Sequence, residues 1–417
     1  FDLFDVFLAG VLGTVLTRSF GISQATLPMV LGSSFLGMFF GALLIGAVAD
    51  RVGRRPAFLL NLGIYSLFTL AGSFSPNAIV LILTRFFAGI GVGAQIPLSD
   101  AYLSELLPAR VRGKLLSVAY TIGFCGVPAI GLGARLLVPT HLLGIDGWRW
   151  LFVVGSLGGI VVWALQRNVV ESPRWLESAG KAREAREVAA FLVGAPLESP
   201  PLFKLSEKMA QAPRQPYRAL FARAIRRRTL MLYVFQVFQT IGYYGFGTMV
   251  PLVLAAKGFS VLDSLSYTTI SFLGYPAGSA LSLFVIEKID RRLLIMISAL
   301  AMATFGLALG FASSSFLIAA FGVLYTLASN IFSNAFHTLQ GEIFPTAIRG
   351  RATGSAYGLS RLSSAAMPFV LLPVLNRYGA GAMFVIVAGA MAIVIADIGL
   401  FAPHTTGLKL EHIAEDV

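Results

Sequence analysis

Ser104–Ser117 reads SELLPARVRGKLLS, and Gly341–Gly354 reads GEIFPTAIRGRATG. Glu105/Glu342, Pro108/Pro345, Arg112/Arg349 and Gly113/Gly350 coincide at an offset of 237. A second pair, Asp50-Arg51 and Asp290-Arg291, coincides at an offset of 240. Two separate matches at nearly one offset mark an internal duplication. The sequence around these motifs shows what is duplicated. Of 417 residues, 56% are apolar and only 12% are charged, about half the charged share of a soluble domain. A spanning helix needs about 20 mostly apolar residues. Twelve such segments lie at roughly 1–17, 27–49, 56–74, 78–103, 114–137, 149–167, 229–256, 264–286, 293–311, 315–340, 352–375 and 380–402.

Six segments fall on each side of a charged, proline-bearing stretch, 168–228. The expected fold is therefore an all-α membrane protein of twelve transmembrane helices in two pseudo-symmetric six-helix bundles. The bundles are 1–167 and 229–403, joined by a cytoplasmic linker with short helices at 168–228 and followed by a cytoplasmic tail, 404–417. Within the linker, Ser178–Leu192 reads as a short amphipathic helix with Ser178 a candidate cap; it is either a plain linker or part of a gate. A duplicated six-helix unit is the build of a secondary transporter, with its site at the midplane between the halves. The chain opens inside apolar sequence at Phe1-Asp2-Leu3-Phe4-Asp5, so sequence preceding Phe1 is expected in the native protein.

The net charge is +12, but its placement argues against nucleic acid. Of the 32 Lys and Arg residues, 25 lie in one set of connections: Arg51, Arg54 and Arg55, Arg110 to Lys114, Arg167 to Arg228, Lys288 to Arg292, Arg349, Arg351 and Lys409. The other set holds Arg18, Arg135, Arg149, Lys257 and Arg377, while Arg85 and Arg361 fall inside spans. Basic loops stay cytoplasmic, so both termini should be cytoplasmic. The compact loops suggest a bacterial inner membrane.

Gly46-Ala-Val-Ala-Asp50-Arg51-Val-Gly53-Arg54-Arg55 resembles the loop between spans 2 and 3 of the major facilitator superfamily. Arg85-Phe-Phe-Ala-Gly89-Ile-Gly91-Val-Gly93 resembles its span 4 signature. Glu105-Leu-Leu-Pro108-Ala-Arg-Val-Arg112-Gly113 and Glu171-Ser172-Pro173-Arg174-Trp175-Leu176 resemble its sugar-porter-like and organic-ion branches. Hexose-porter hallmarks are missing from span 7, Gln236-Val-Phe-Gln239-Thr-Ile-Gly242-Tyr243-Tyr244, and from span 10, Asn334-Ala-Phe-His337-Thr-Leu-Gln340. Phe1-Asp2-Leu3-Phe4-Asp5 is similar to the opening of aromatic-acid and niacin-type proton symporters, with Leu3 in place of a glycine. Gly358-Leu-Ser-Arg361 through Pro368 resembles the Arg-bearing eleventh span of organic-anion carriers.

Ionisable groups inside spans are costly and are candidates for function. The resemblance makes Asp5 of span 1 and Arg85 of span 4 a proton-coupling pair. Burial raises a carboxyl pKa and a nearby Arg lowers it, so opening and closing such a pair would load and release a proton. The pair could instead be static, or Asp2 could take the role. Arg361 holds a fork of donors matched to a carboxylate; it is a candidate for the substrate's carboxylate or for backbone carbonyls. Gln236, Gln239 and Tyr243 share one face of span 7, and Asn330, Asn334 and His337 one face of span 10. Each stripe either lines the cavity or bonds helices together. Tyr243 and Tyr244 would give a flat ligand a stacking surface. His337 either titrates or acts as a neutral inter-helix donor. Gln95 is a further cavity candidate, and Asp397 in span 12 reads as facing a neighbouring helix. By resemblance, Asp50, Arg51, Arg55, Glu105, Arg112 and Glu171 of one half, with Asp290, Arg291, Glu342 and Arg349 of the other, form a cytoplasmic gate; topology determination is the alternative.

Gly89-x-Gly91-x-Gly93 lies inside a span and is no dinucleotide loop. There is no phosphate-binding G-x-x-x-x-G-K-S/T, no Cys/His set with metal spacing and no nucleophile–base pair. Cys125, the lone cysteine, reads as a packing residue. No cofactor, metal or nucleic acid is expected, and the chain does not read as an enzyme. It reads as a monomer in a lipid bilayer that imports a small organic anion with protons, an aromatic monocarboxylate such as nicotinate or a benzoate-like acid. The alternatives are a proton-coupled exporter of drugs or organic solutes, and a ligand-sensing membrane protein without net transport.

Overall fold

A computed structural model describes residues 1–106, 109–193, 217–223, 225–286, 288–344 and 346–403. The first half contains α1 (Asp2–Val11), α2 (Gly13–Phe20), α3 (Leu27–Val52), α4 (Arg54–Ser73), α5 (Ala78–Gly93), α6 (Gln95–Leu106), α7 (Ala109–Phe124), α8 (Gly126–Leu137) and α9 (Gly147–Gln166). Two short helices follow, α10 (Pro173–Ser178) and α11 (Ala182–Val193). The second half contains α12 (Arg226–Ala256), α13 (Val261–Phe272), α14 (Gly274–Val285), α15 (Arg291–Phe311), α16 (Ser315–Glu342) and α17 (Thr346–Phe401). Among the described residues, ten helical stretches are long and apolar enough to cross a membrane, and α1 with α2 adds another across a 54° bend. The long α17 is two spans joined at Gly379, whose φ of 81° a side chain rarely tolerates. The fold is thus the expected twelve-span one, and apolar side chains such as Leu67, Ile122 and Phe284 face outward.

Spans 4, 5 and 8 are each broken, at Ala94, Cys125 and Leu273. Pro97, Pro128 and Pro276 follow three residues later and remove the hydrogen bond that would bridge each break. Spans 2 and 4 interlock through glycines. A Cβ on Gly37 or Gly41 would strike the backbone of Phe86 or Ile90, and one on Gly89 or Gly93 the backbone of Ser34 or Met38. The span 4 glycines are therefore a close-packing surface, and this approach brings Arg85 against span 2.

The halves meet along three seams. Span 2 meets span 11 at Gly32 and Ala365. Span 5 meets span 8, where Thr121 Oγ1 and Ser279 Oγ lie 3.0 Å apart and Arg135 Nε donates to Ser266 Oγ at 2.8 Å. Span 1 meets span 7 at Gly10, where a Cβ would fall 2.7 Å from Thr248 Cα. Gly10→Leu is expected to wedge this seam open. In a Cys125→Ser background, a Leu252→Cys probe beside the seam should then label several-fold faster with an impermeant maleimide; an unchanged rate would refute the wedge.

The linker differs from expectation. Ser178 ends α10 instead of capping the next helix, because Gly180 (φ 79°) turns the chain before α11 begins at Ala182. The capping residue there is Ser172, whose Oγ accepts from Trp175 N–H at 3.3 Å.

Candidate functional site

A cavity of about 310 Å³ lies between the halves. Spans 1, 4 and 5 line one wall and spans 7, 10 and 11 the other. Toward the face carrying the basic loops, Ser99, Asp100, Leu103, Tyr120 and His337 keep partial exposure. On the opposite side Phe7, Phe272 and Tyr275 are fully buried and Tyr244 nearly so. Their rings form an aromatic plug, with Phe7 5.8 Å from both Phe272 and Tyr275 and Tyr275 6.2 Å from Phe124. The cavity is closed by this plug and opens toward the basic face.

Arg361 lines the cavity with only 4% of its surface exposed. Its guanidinium lies 4.3 Å from the Tyr357 ring centre and 4.8 Å from that of Tyr244. Cation–π contact stabilises it there, but no carboxylate among the described residues pairs with it, and its Nε has no hydrogen-bond partner. A buried charge left so is costly unless a ligand completes it.

The span 7 stripe turns inward: Gln236, Gln239, Tyr243 and Tyr244 all line the cavity. Gln239 Nε2 donates to Gln236 Oε1 at 3.0 Å, and Gln236 Nε2 to Gln340 Oε1 at 3.1 Å. Gln340 Nε2 in turn lies 3.3 Å from His337 Nδ1. His337 also lines the cavity, stacked 4.2 Å from Phe336 and 6.2 Å from Tyr120. Asn334 lines it while donating to Ser282 Oγ at 2.5 Å.

Two candidates lie away from the cavity. Asn330 is buried and donates to the Tyr275 carbonyl, tying span 10 to span 8. Gln95 accepts from Asn61 Nδ2 at 3.3 Å, between spans 3 and 4. Asp397 is buried in span 12, also away from the lining. Asn330 and Gln95 carry helix packing, because a polar group in a span needs a partner wherever it points.

Asp5 and Arg85 form a two-pronged ion pair at 0% and 1% exposure. Arg85 Nη1 donates to Asp5 Oδ1 at 2.8 Å, and Nη2 reaches Asp5 Oδ2 and, at 3.3 Å, Ser34 Oγ. The pair sits behind the cavity wall, while Asp2, one turn earlier, lines the cavity.

The proposed gate residues make contacts within each half. Arg54 Nη2 meets Glu105 Oε1 at 3.2 Å, and Arg291 Nε meets Glu342 Oε1 at 3.7 Å. Both partners of these pairs are 237 residues apart, so Arg54, and not the exposed Arg51, is the counterpart of Arg291. Each arginine opens a helix, and the residue before it differs. Asp290 caps α15 itself, accepting from Arg292 N–H at 2.9 Å. The equivalent Gly53 has φ 109° and no side chain, and Glu171 fills that space, accepting from Arg54 N–H at 2.9 Å and Arg55 N–H at 3.1 Å. A carboxylate at a helix N-terminus stabilises the helix. Glu171→Ala is expected to cost about 1–2 kcal/mol, read as a lowered thermal unfolding midpoint; an unchanged midpoint would contradict this. The side chains of Asp50, Arg112 and Arg349 lie outside the described residues.

The motif reading overlooked Asp100, Tyr120 and Tyr357, all in the cavity wall. For Asp100 a signal existed, an acid inside an apolar segment, but it lies near the end of span 4, where a charge reads as interfacial.

The profile of the family described as "Sugar (and other) transporter" matches residues 13–417. The chain is 30% identical to the putative metabolite transport protein YyaJ of Bacillus subtilis, covering 98% of this chain and 91% of that one. It is 29% identical to the niacin transporter NiaP of Acinetobacter baylyi, covering 99% and 93%. It is 26% identical to the 4-hydroxybenzoate transporter PcaK of Pseudomonas aeruginosa, covering 86% and 79%. Among solved structures, the partially occluded inward-open xylose transporter XylE of E. coli superposes with a TM-score of 0.83 at 22% identity, covering 98% and 96%. These relatives and neighbours are transporters, not enzymes. The chain is a multi-pass membrane transporter of metabolites with the major facilitator fold, and a member of the sugar (and other) transporter family.

Proposed function

We propose that this transporter imports a small organic anion together with one or more protons, by alternating access. The substrate class is an aromatic monocarboxylate such as nicotinate or a benzoate-like acid. One observation carries the reading: Arg361 is buried in the cavity wall between two tyrosine rings with no carboxylate partner among the described residues. A guanidinium is always charged and offers two parallel donors to a carboxylate. Tyr243 and Tyr244 add ring surface, and Gln236, Gln239, Asn334 and His337 supply polar contacts. The niacin and 4-hydroxybenzoate transporters among the relatives support the acid class.

The excess of Lys and Arg on one face supports a cytoplasmic location for it. With that orientation both termini are cytoplasmic, and the cavity is open inward. Asp5 and Arg85 are the coupling pair, with Asp2 at the cavity edge. The charged residues at the basic face bias the balance between inward- and outward-open states. The unit is a monomer in a bacterial inner membrane.

The test is uptake of labelled nicotinate, benzoate and 4-hydroxybenzoate into proteoliposomes. An inward proton gradient should drive accumulation of at least one acid. One anion moving with one proton carries no net charge, so an imposed voltage should change the rate little. No uptake of any acid under the gradient would overturn the proposal.

A further inference from the structure

The cavity has a second pole. Asp100, in the half opposite Arg361, lines the same space and accepts from Tyr120 O–H at 2.6 Å. That bond occupies Oδ1 and fixes the carboxylate. Among the described residues the other oxygen has no hydrogen-bond partner, and no Lys, Arg or His pairs with the group. Asp2 adds a further carboxylate to the same wall. The cavity therefore holds, on one wall, a buried guanidinium with no carboxylate partner among the described residues and, on the other, a positioned carboxylate, with Tyr357 within electrostatic reach of both.

We infer that Asp100 is a specificity-determining residue, and that the preferred substrate carries a cationic or hydrogen-bond-donating group at the end remote from its carboxylate. A simple acid satisfies Arg361 and leaves Asp100 facing apolar ligand surface, which costs the hydration of a charge. An acid with an ammonium or hydroxyl donor satisfies both poles. The volume, about 310 Å³, is at the small end of ligand pockets, so one ring or a chain of similar length bridges the walls. Tyr120 acts through Asp100 as a positioning residue. The inference rests on Arg361 as the carboxylate site and adds what lies opposite it.

The test compares two acids of matched shape, 4-(aminomethyl)benzoate and 4-ethylbenzoate, by equilibrium binding to the purified transporter near neutral pH. The ammonium acid should bind at least about tenfold more tightly, the scale of a hydrogen bond between charged groups. Asp100→Asn should bring the ratio of the two affinities close to one. Tyr120→Phe, which keeps the carboxylate but removes the bond that positions it, should reduce the preference without bringing the ratio to one. Equal binding of the two acids by the unmodified protein would overturn the inference and leave the Arg361 reading standing. Binding of neither acid would overturn both. An Asp100→Asn variant that keeps the preference, or one that loses both acids, would show that Asp100 does not read the remote group.

Discussion

Arg361→Ala is expected to weaken carboxylate binding at least about a hundredfold. Charge-assisted hydrogen bonds contribute about 1.5–3 kcal/mol each, and the guanidinium offers two in parallel. A hundredfold loss corresponds to about 2.7 kcal/mol, which one such bond nearly accounts for. Arg361→Lys keeps the charge without the fork and should lose about tenfold. Stability separates this role from a structural one. Arg361 has no carboxylate partner among the described residues, so its removal should leave no orphaned anion behind. The alanine variant should therefore unfold at the same temperature as the parent, or higher. Binding of labelled benzoate and a thermal scan on one preparation give both readouts. Retained affinity would remove Arg361 from the site, and a large stability loss would mark it as a structural tie.

Asp5→Asn is expected to abolish the response of uptake to a proton gradient. Asp5 and Arg85 are buried at 0% and 1% exposure. In the proposed reading the proton binds Asp5. Protonating Asp5 removes its charge and frees Arg85, so lowering the pH on the side of entry should load the carrier and raise uptake. Asparagine cannot take up the proton, so the rate should no longer respond to the gradient. The substitution also leaves Arg85 facing neutral acceptors, Ser34 Oγ and the residue 5 carbonyl. Removing one partner of a buried pair costs about 3–5 kcal/mol, although the amide oxygen can recover part of that. Adding Arg85→Gln should restore stability without restoring coupling. Full gradient dependence in the Asp5→Asn variant would exclude Asp5 as the carrier.

The two arginines show how far a residue pattern can be read. Both stood out because a charge inside an apolar run is costly. What surrounds each charge did not follow from position in the chain. Arg85 is neutralised at close range by Asp5, 80 positions away, while span 4 glycines press its helix against span 2. Arg361 lies between Tyr244 and Tyr357 and meets no acid among the described residues. The gate shows the same limit. Aligning Asp50-Arg51 with Asp290-Arg291 looked right as text, yet the ion pairs align Arg54 with Arg291. The difference is three residues, just under one helical turn. Gly53 takes the place of Asp290, and its missing cap is supplied by Glu171 from another loop.

The sequence by itself determined the twelve spans, the duplication and the lopsided charge of the loops. Each of these is a property of a continuous stretch: the length of an apolar run, the repeat of a motif, the sign of a connection. Helical spacing also determined that Gln236, Gln239 and Tyr243 share a face. Only the tertiary structure decided which helix or space each face meets. It turned Gln236 and His337 to the cavity, Gln95 to Asn61 and Asn330 to the Tyr275 carbonyl, and it brought Asp100 into the wall facing Arg361. The physical reason is that every polar group in a membrane must find a partner. A polar stripe therefore looks the same in sequence whether that partner is a neighbouring helix or a substrate.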